Sequence, residues 1–130
     1  MSKQLEISVV TPYRSMFEGV ADSVQIPLFD GLAGIQPGHA TMFARLGPGK
    51  LTVHQGSERK ILFVDGGFLE VAGNRVTVLA HNALAPEEIK AADAEKERDA
   101  LLARKTAGDE EIEERLEKLR SVRAKLSLVK

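Results

Sequence analysis

Apolar and polar residues alternate along the first two thirds of the chain and then give way to a longer period. Leu5, Ile7 and Val9 flank Glu6 and Ser8, Val24 and Ile26 flank Gln25, and Val76, Val78 and Ala80 follow Arg75 around Thr77. A period of two sends successive side chains to opposite faces, so these runs predict half-buried strands. Turn residues punctuate them, with Gln55-Gly56-Ser57 between two runs and Gly73-Asn74 between "FLEVA" and "RVTVLA", the latter suited to a tight two-residue hairpin. Many short antiparallel strands predict a sandwich or barrel. Within "GIQPGHA" (Gly34 to Ala40), Gln36 to His39 reads as a turn: Pro37 pre-sets φ at its second position and Gly38 supplies the positive φ of its third. Such a turn is expected to push His39 outward.

Past Pro86 the pattern changes. All five prolines and ten of the eleven glycines lie at or before Pro86, and only Gly108 follows it. Residues 1–85 carry seven basic and seven acidic side chains, against eleven and twelve in residues 86–130, so charge density roughly doubles, as in solvated helices. The expected organisation is therefore an N-terminal antiparallel β-sandwich over residues 1–85 and a C-terminal antiparallel helical hairpin over 86–130. Pro86-Glu87-Glu88 suits a first helical turn and predicts a helix to about Lys105. "TAGDEE" then breaks the chain and offers Asp109 as a cap for a second helix running to the end.

The second helix has the clearer stripe, with Ile112, Leu116, Leu119, Val122, Leu126 and Val129 three or four residues apart. Glu110, Glu113, Glu114 and Glu117 fall opposite. Arg115 and Arg123 fall among or beside the apolar residues, and two readings stay open. Their stems cover the seam while the guanidinium groups reach water, or they meet an acidic partner surface. Five basic side chains and no acid follow Glu117; part of that charge complements the helix dipole. On the first helix Ile89, Ala92, Ala100 and Ala103 are expected to share a face interrupted by Asp93 and Lys96. Such a face buries little area, so the hairpin is expected to dock with only a few kcal/mol in hand, which makes it a candidate two-state element.

Composition narrows the chemistry. A chain of 130 residues makes one domain, or a small domain with an appendage. With no cysteine there are no disulfides, thiolate nucleophiles or Cys-based zinc sites. A net charge of -1 and the absence of tryptophan argue against a nucleic-acid partner. No secretory pattern opens the chain, and no run approaches the ~20 apolar residues of a membrane span, so direct membrane insertion is not expected. His39, His54 and His81 lack ligand spacing, and no metal is expected. Gly66-Gly67 in "FVDGGFLEV" precedes neither a helix nor a suitably placed lysine, so it reads as a bulge or sheet crossing, not a phosphate loop. No "GxSxG" elbow is present, and paired carboxylates such as Glu87-Glu88 sit where solvation explains them.

Three stretches in order, "VVTPYRSMFEGVADSVQIP", "GLAGIQPGHATMFARLGPGKL" and "ILFVDGGFLEVAGNRVTVLA", followed by a charged helical pair, resemble the epsilon-subunit family of F-type ATP synthases. The likeness is strongest from Val9 to Ala80. It implies a non-catalytic β-sandwich that grips the foot of the gamma subunit and sits on the polar loops of the membrane rotor ring. Such a subunit belongs on the cytoplasmic face of the bacterial cell membrane, in a proton- or sodium-translocating enzyme, or less commonly on a plastid thylakoid. By resemblance Asp30, Gly31, Leu32 and His39 lie near the ring, and Thr41, Met42, Phe43, His81 and Asn82 contact gamma. Leu32 stands where many relatives carry an acid, which puts an ionic ring contact there in doubt.

Family members also use the helical pair as a regulator that extends along gamma towards the alpha and beta subunits and inhibits ATP hydrolysis. Arg115 and Arg123 are the residues expected to meet acidic loops of the catalytic subunits. Some relatives bind ATP through "I-D-x-x-R-A"; here Ile89-Lys90-Ala91-Ala92-Asp93-Ala94 reverses charge at both key positions, so no nucleotide binding of that kind, and no cofactor, is expected. Two rival readings are an adaptor module serving another complex and a small hydrolase built on His39 and Asp30.

Overall fold

A computed structural model of the chain describes residues 4–103 and 108–129. Eight strands, β1 (Leu5–Val10), β2 (Ser15–Ala21), β3 (Ser23–Leu28), β4 (Gly31–Ile35), β5 (Met42–Arg45), β6 (Gly49–Gln55), β7 (Glu58–Ala72) and β8 (Arg75–Leu84), precede two helices, α1 (Ala91–Ala103) and α2 (Asp109–Val129). The strands are hydrogen-bonded in the order β2-β1-β8-β7-β6-β3-β4, with β5 on β7. Among the described residues every pairing is antiparallel except β1 with β8. The core between the layers holds the alternating residues, among them Leu5, Ile7, Val9, Val24, Ile26 and Val78.

One sheet makes two layers because β7 and β8 belong to both. Leu62 and Val64 point into the core from the first half of β7, whereas Leu69 and Val71 do so from the second, and β8 changes parity between Ala80 and Ala83. The register is nevertheless the same on both sides, Asp65 opposite Asn82 and Gly67 opposite Ala80, so no residue is inserted. Gly66-Gly67 is thus a sheet crossing and not a bulge. Both glycines hold positive φ, 71° and 102°, which an L side chain resists. A Cβ on Gly67 would also collide with the Leu79 carbonyl oxygen. Gly73 (φ 60°) opens the β7–β8 turn while Asn74 keeps negative φ, the arrangement of a type II′ hairpin, and Gly56 (φ 61°) does the same between Gln55 and Glu58.

Parity also explains the seat of the helices. Phe63 is fully buried but faces away from the sandwich core, and Thr52 is buried opposite Leu51 and Val53. Both belong to the side of β6 and β7 against which α2 lies. There the Ser121 hydroxyl donates to Asp65 Oδ2 at 2.7 Å, and Lys125 Nζ stands 5.6 Å from the centre of the Phe63 ring. The helices own a separate small apolar cluster of Ala94, Leu101, Leu119, Val122 and Leu126.

Several helix expectations change. Pro86–Glu88 is a single 3₁₀ turn, after which Ile89 is extended (φ -89°, ψ 121°) and buried, so the α-helix begins only at Ala91. With Ile89 outside the helix, the face expected from Ile89, Ala92, Ala100 and Ala103 does not form: Ala92, Ala100 and Ala103 are exposed, and Ala94 and Leu101 carry the contact. On α2 only the C-terminal half of the stripe is buried; Ile112 and Leu116 are exposed. Asp109 is the first helical residue, preceded by Gly108 (φ 105°), whose carbonyl accepts the Ile112 N–H at 3.2 Å. Lys105, the expected end of the first helix, lies outside the described residues, as do Thr106 and Ala107.

Candidate functional site

The outward side of the layer built from β2, β1, β8, β5 and the second half of β7 carries the molecule's most distinctive surface. Strand parity that turns Val76, Val78, Leu69 and Val71 inward turns Leu79 and Phe68 outward. Leu79 pairs with Phe68 on one side and with Val10 on the other, forming a cross-strand apolar row. Phe43 on β5 extends it, its ring stacked on Phe68 with centroids 5.2 Å apart. Phe43 is 68% exposed, Leu79 50% and Phe68 42%. Contiguous apolar side chains on the open side of a sheet mark an interaction site.

One residue pair along the strands the chemistry becomes polar. Glu18 opposes Ser8, Ser8 opposes Thr77 and Thr77 opposes Glu70. The next row contains Glu6 and Arg75, paired at 3.4 Å. The face is thus mainly apolar towards the β1–β2 turn and mainly polar towards the β7–β8 turn, with Phe43 opposite Glu70 and Val20 opposite Glu6 as apolar exceptions.

The residues expected to contact a partner do not all meet there. Phe43 joins the row, and His81, two positions beyond Leu79, is exposed and stands over Gly66. Thr41 is exposed just before β5. Met42 instead packs against the sandwich core, and Asn82 lines a cleft beneath the helices with Asp65, Glu97, Ser121 and Lys125. Phe68 and Leu79 were not anticipated, although an apolar residue at an outward parity position in "GGFLEV" and "RVTVLA" is the signal that finds them.

A second exposed tip is the β3–β4 turn. Phe29 and Asp30 form its apex, Gly31 opens β4 beside it, and Leu32 is 65% exposed. Arg45 Cζ sits 4.6 Å above the Phe29 ring, and the Phe29 N–H donates to the Arg45 carbonyl at 2.9 Å, which stiffens the tip. His39 does not share it. It follows the opposite end of β4, about 17 Å away at ~3.3 Å per residue. The predicted turn is present, with Gly38 at φ 86° and the His39 N–H donating to the Gln36 carbonyl at 3.1 Å. Because the Gly38 N–H donates to Asn74 Oδ1 and His39 Nδ1 lies 2.8 Å from the Ala40 carbonyl oxygen, the loop is drawn against the body and His39 is half-buried, not thrust outward. His39 and Asp30 are therefore too far apart to act as a hydrolytic pair. Among the described residues no group of three His, Asp or Glu side chains gathers to hold a metal ion, and no helix is long and apolar enough to cross a membrane.

At the root of the helices Arg14 donates from Nη2 to Glu88 Oε1 at 2.8 Å and to the Ala83 carbonyl at 3.3 Å, while the Ala85 N–H donates to the same carboxylate oxygen. The hydrogen bond from Arg14, then that from Ala85, lowers the Glu88 pKa, and the same ion pair raises that of Arg14. On α2, Arg115 is half-buried and Arg123 exposed.

Comparison with known proteins agrees with this architecture. The family described as "ATP synthase, Delta/Epsilon chain, beta-sandwich domain" matches residues 4–86. The ATP synthase epsilon chain of Leptospira borgpetersenii is 38% identical over 98 residues, covering 75% of each chain. That of Solibacter usitatus is 41% identical over 106 residues, covering 78% of this chain and 79% of its own. A chain in the structure of the Euglena gracilis mitochondrial ATP synthase OSCP/F1/c-ring superposes with a TM-score of 0.80 at 24% identity, covering 95% of this chain and 81% of that one, a likeness of fold.

Proposed function

The chain belongs to the ATP synthase delta/epsilon family, and on that premise we propose that it is the epsilon-type, non-catalytic subunit of the central stalk, coupling gamma to the membrane rotor ring of an ion-translocating ATP synthase. The observation that carries this reading is the apolar row of half-buried Val10 and exposed Leu79 and Phe68, with exposed Phe43 stacked beside it, a sheet surface that suits a permanent partner. Gamma takes this face. The β3–β4 tip, Asp30, Gly31 and Leu32, meets the ring through a largely apolar contact, and His39, at the other end of β4, is left out of it. The complex sits at the cytoplasmic face of a bacterial cell membrane.

Residues 1–85 act as the coupling body and residues 86–130 as a movable regulatory arm. Two features support the division: the arm has its own apolar cluster, and its seat, Phe63 and Thr52 with the Ser121–Asp65 hydrogen bond, lies outside the sandwich core. Extended, the arm reaches the alpha and beta subunits, with Arg115 and Arg123 facing acidic loops. The test is reconstitution with the complex of alpha, beta and gamma subunits. The full chain is expected to co-purify with gamma and lower ATP hydrolysis, and a chain ending at Ala85 to co-purify without lowering it. Failure of both forms to bind would refute the rotor role; equal hydrolysis with both would refute inhibition.

A further inference from the structure

The face assigned to gamma also describes what gamma presents to it. The apolar row crosses β1, β8, β7 and β5, three interstrand spacings or about 14 Å at ~4.8 Å each. Alongside it runs the row Glu18, Ser8, Thr77, Glu70. Of the charges on this face, Glu6 and Arg75 neutralise one another, Arg45 is engaged with Phe29, and Arg14 is engaged with Glu88. Among the described residues no ion pair involves Glu18 or Glu70, and both are exposed. Two carboxylates outside any of these ion pairs thus flank two hydroxyls at the margin of an apolar strip. Resting on the reading above, we propose that the gamma segment seated here is amphipathic and basic-flanked, its apolar side chains filling the row and a lysine or arginine reaching each of Glu70 and Glu18. Rim charges of this kind set register and association rate more than final affinity.

The test measures association with the purified complex of alpha, beta and gamma subunits lacking this chain, by stopped flow from about 20 mM to about 500 mM salt, a range over which screening of exposed charges becomes nearly complete. The double reversal Glu18→Lys with Glu70→Lys is expected to slow association about tenfold at low salt, with the deficit shrinking as salt rises. The control pair Glu97→Lys with Glu113→Lys, at exposed positions of α1 and α2, makes the same change in net charge away from this face and is expected to retain the original rate. Leu79→Asp, verified as folded by circular dichroism, is expected to lose binding at every salt concentration. If Leu79→Asp abolishes binding while the double reversal matches the control, the basic flank is wrong and the docking face stands. If Leu79→Asp binds normally, the docking face itself is wrong.

Discussion

Gly67 shows how a single missing Cβ shapes this protein. Its φ of 102° lies where L side chains rarely go, and an added methyl would strike the Leu79 carbonyl, which a backbone ladder cannot move aside. Gly67→Ala is expected to cost about 3 kcal/mol. Gly66→Ala should cost less, because the Cβ there would meet the His81 ring at 2.8 Å and that exposed side chain can swing away. Urea denaturation of the two variants checks the order. Glu88 supplies a pH prediction. Its pKa is lower folded than unfolded, so its contribution is complete above the usual carboxylate value of about 4.3 and is lost as pH falls through the folded value. The protection of the Ala85 amide, measured as its exchange rate against the intrinsic rate at the same pH, should fall in that acid window, and Glu88→Gln should remove that fall. Local φ requirements were legible in the sequence, which is why the Gln36–His39 turn could be read from Pro37 and Gly38. The half-burial of His39 was not, because it depends on Asn74, thirty-odd residues away.

Each helix is amphipathic only in part, and the difference decides what holds the arm. The α1 contact consists of Ala94 and Leu101, and that of α2 of Leu119, Val122 and Leu126. Leu119→Ala should destabilise the helices by about 2–3 kcal/mol, at the low end for a buried leucine because so small a cluster can close around the gap. Ser121→Ala should weaken the seat on β7 by about 1 kcal/mol. Limited proteolysis checks both: cleavage within α2 should accelerate while the strands stay protected. The α2 stripe was legible because its leucines and valines recur at helical spacing. The α1 face was not, because Pro86-Glu87-Glu88 carries a sound helix-start signal, and nothing local reveals that burying Ile89 extends the chain and resets the phase of every residue after it.

For the whole molecule, two separate apolar clusters imply two unfolding events. Thermal melting followed by helix and strand signals separately should give a lower midpoint for the helices, whereas a single shared midpoint would contradict the division. The face proposed for docking was half legible. Phe43 came from resemblance, while Leu79 and Phe68 needed the register that makes them neighbours. The layers themselves share two strands. Since β7 and β8 run unbroken through both, with one register along their length, torque applied at the strip proposed for gamma would travel along two covalent threads cross-tied by main-chain bonds. To slip, the halves of this body would have to shear that ladder, so the subunit should transmit a twist with almost no backlash.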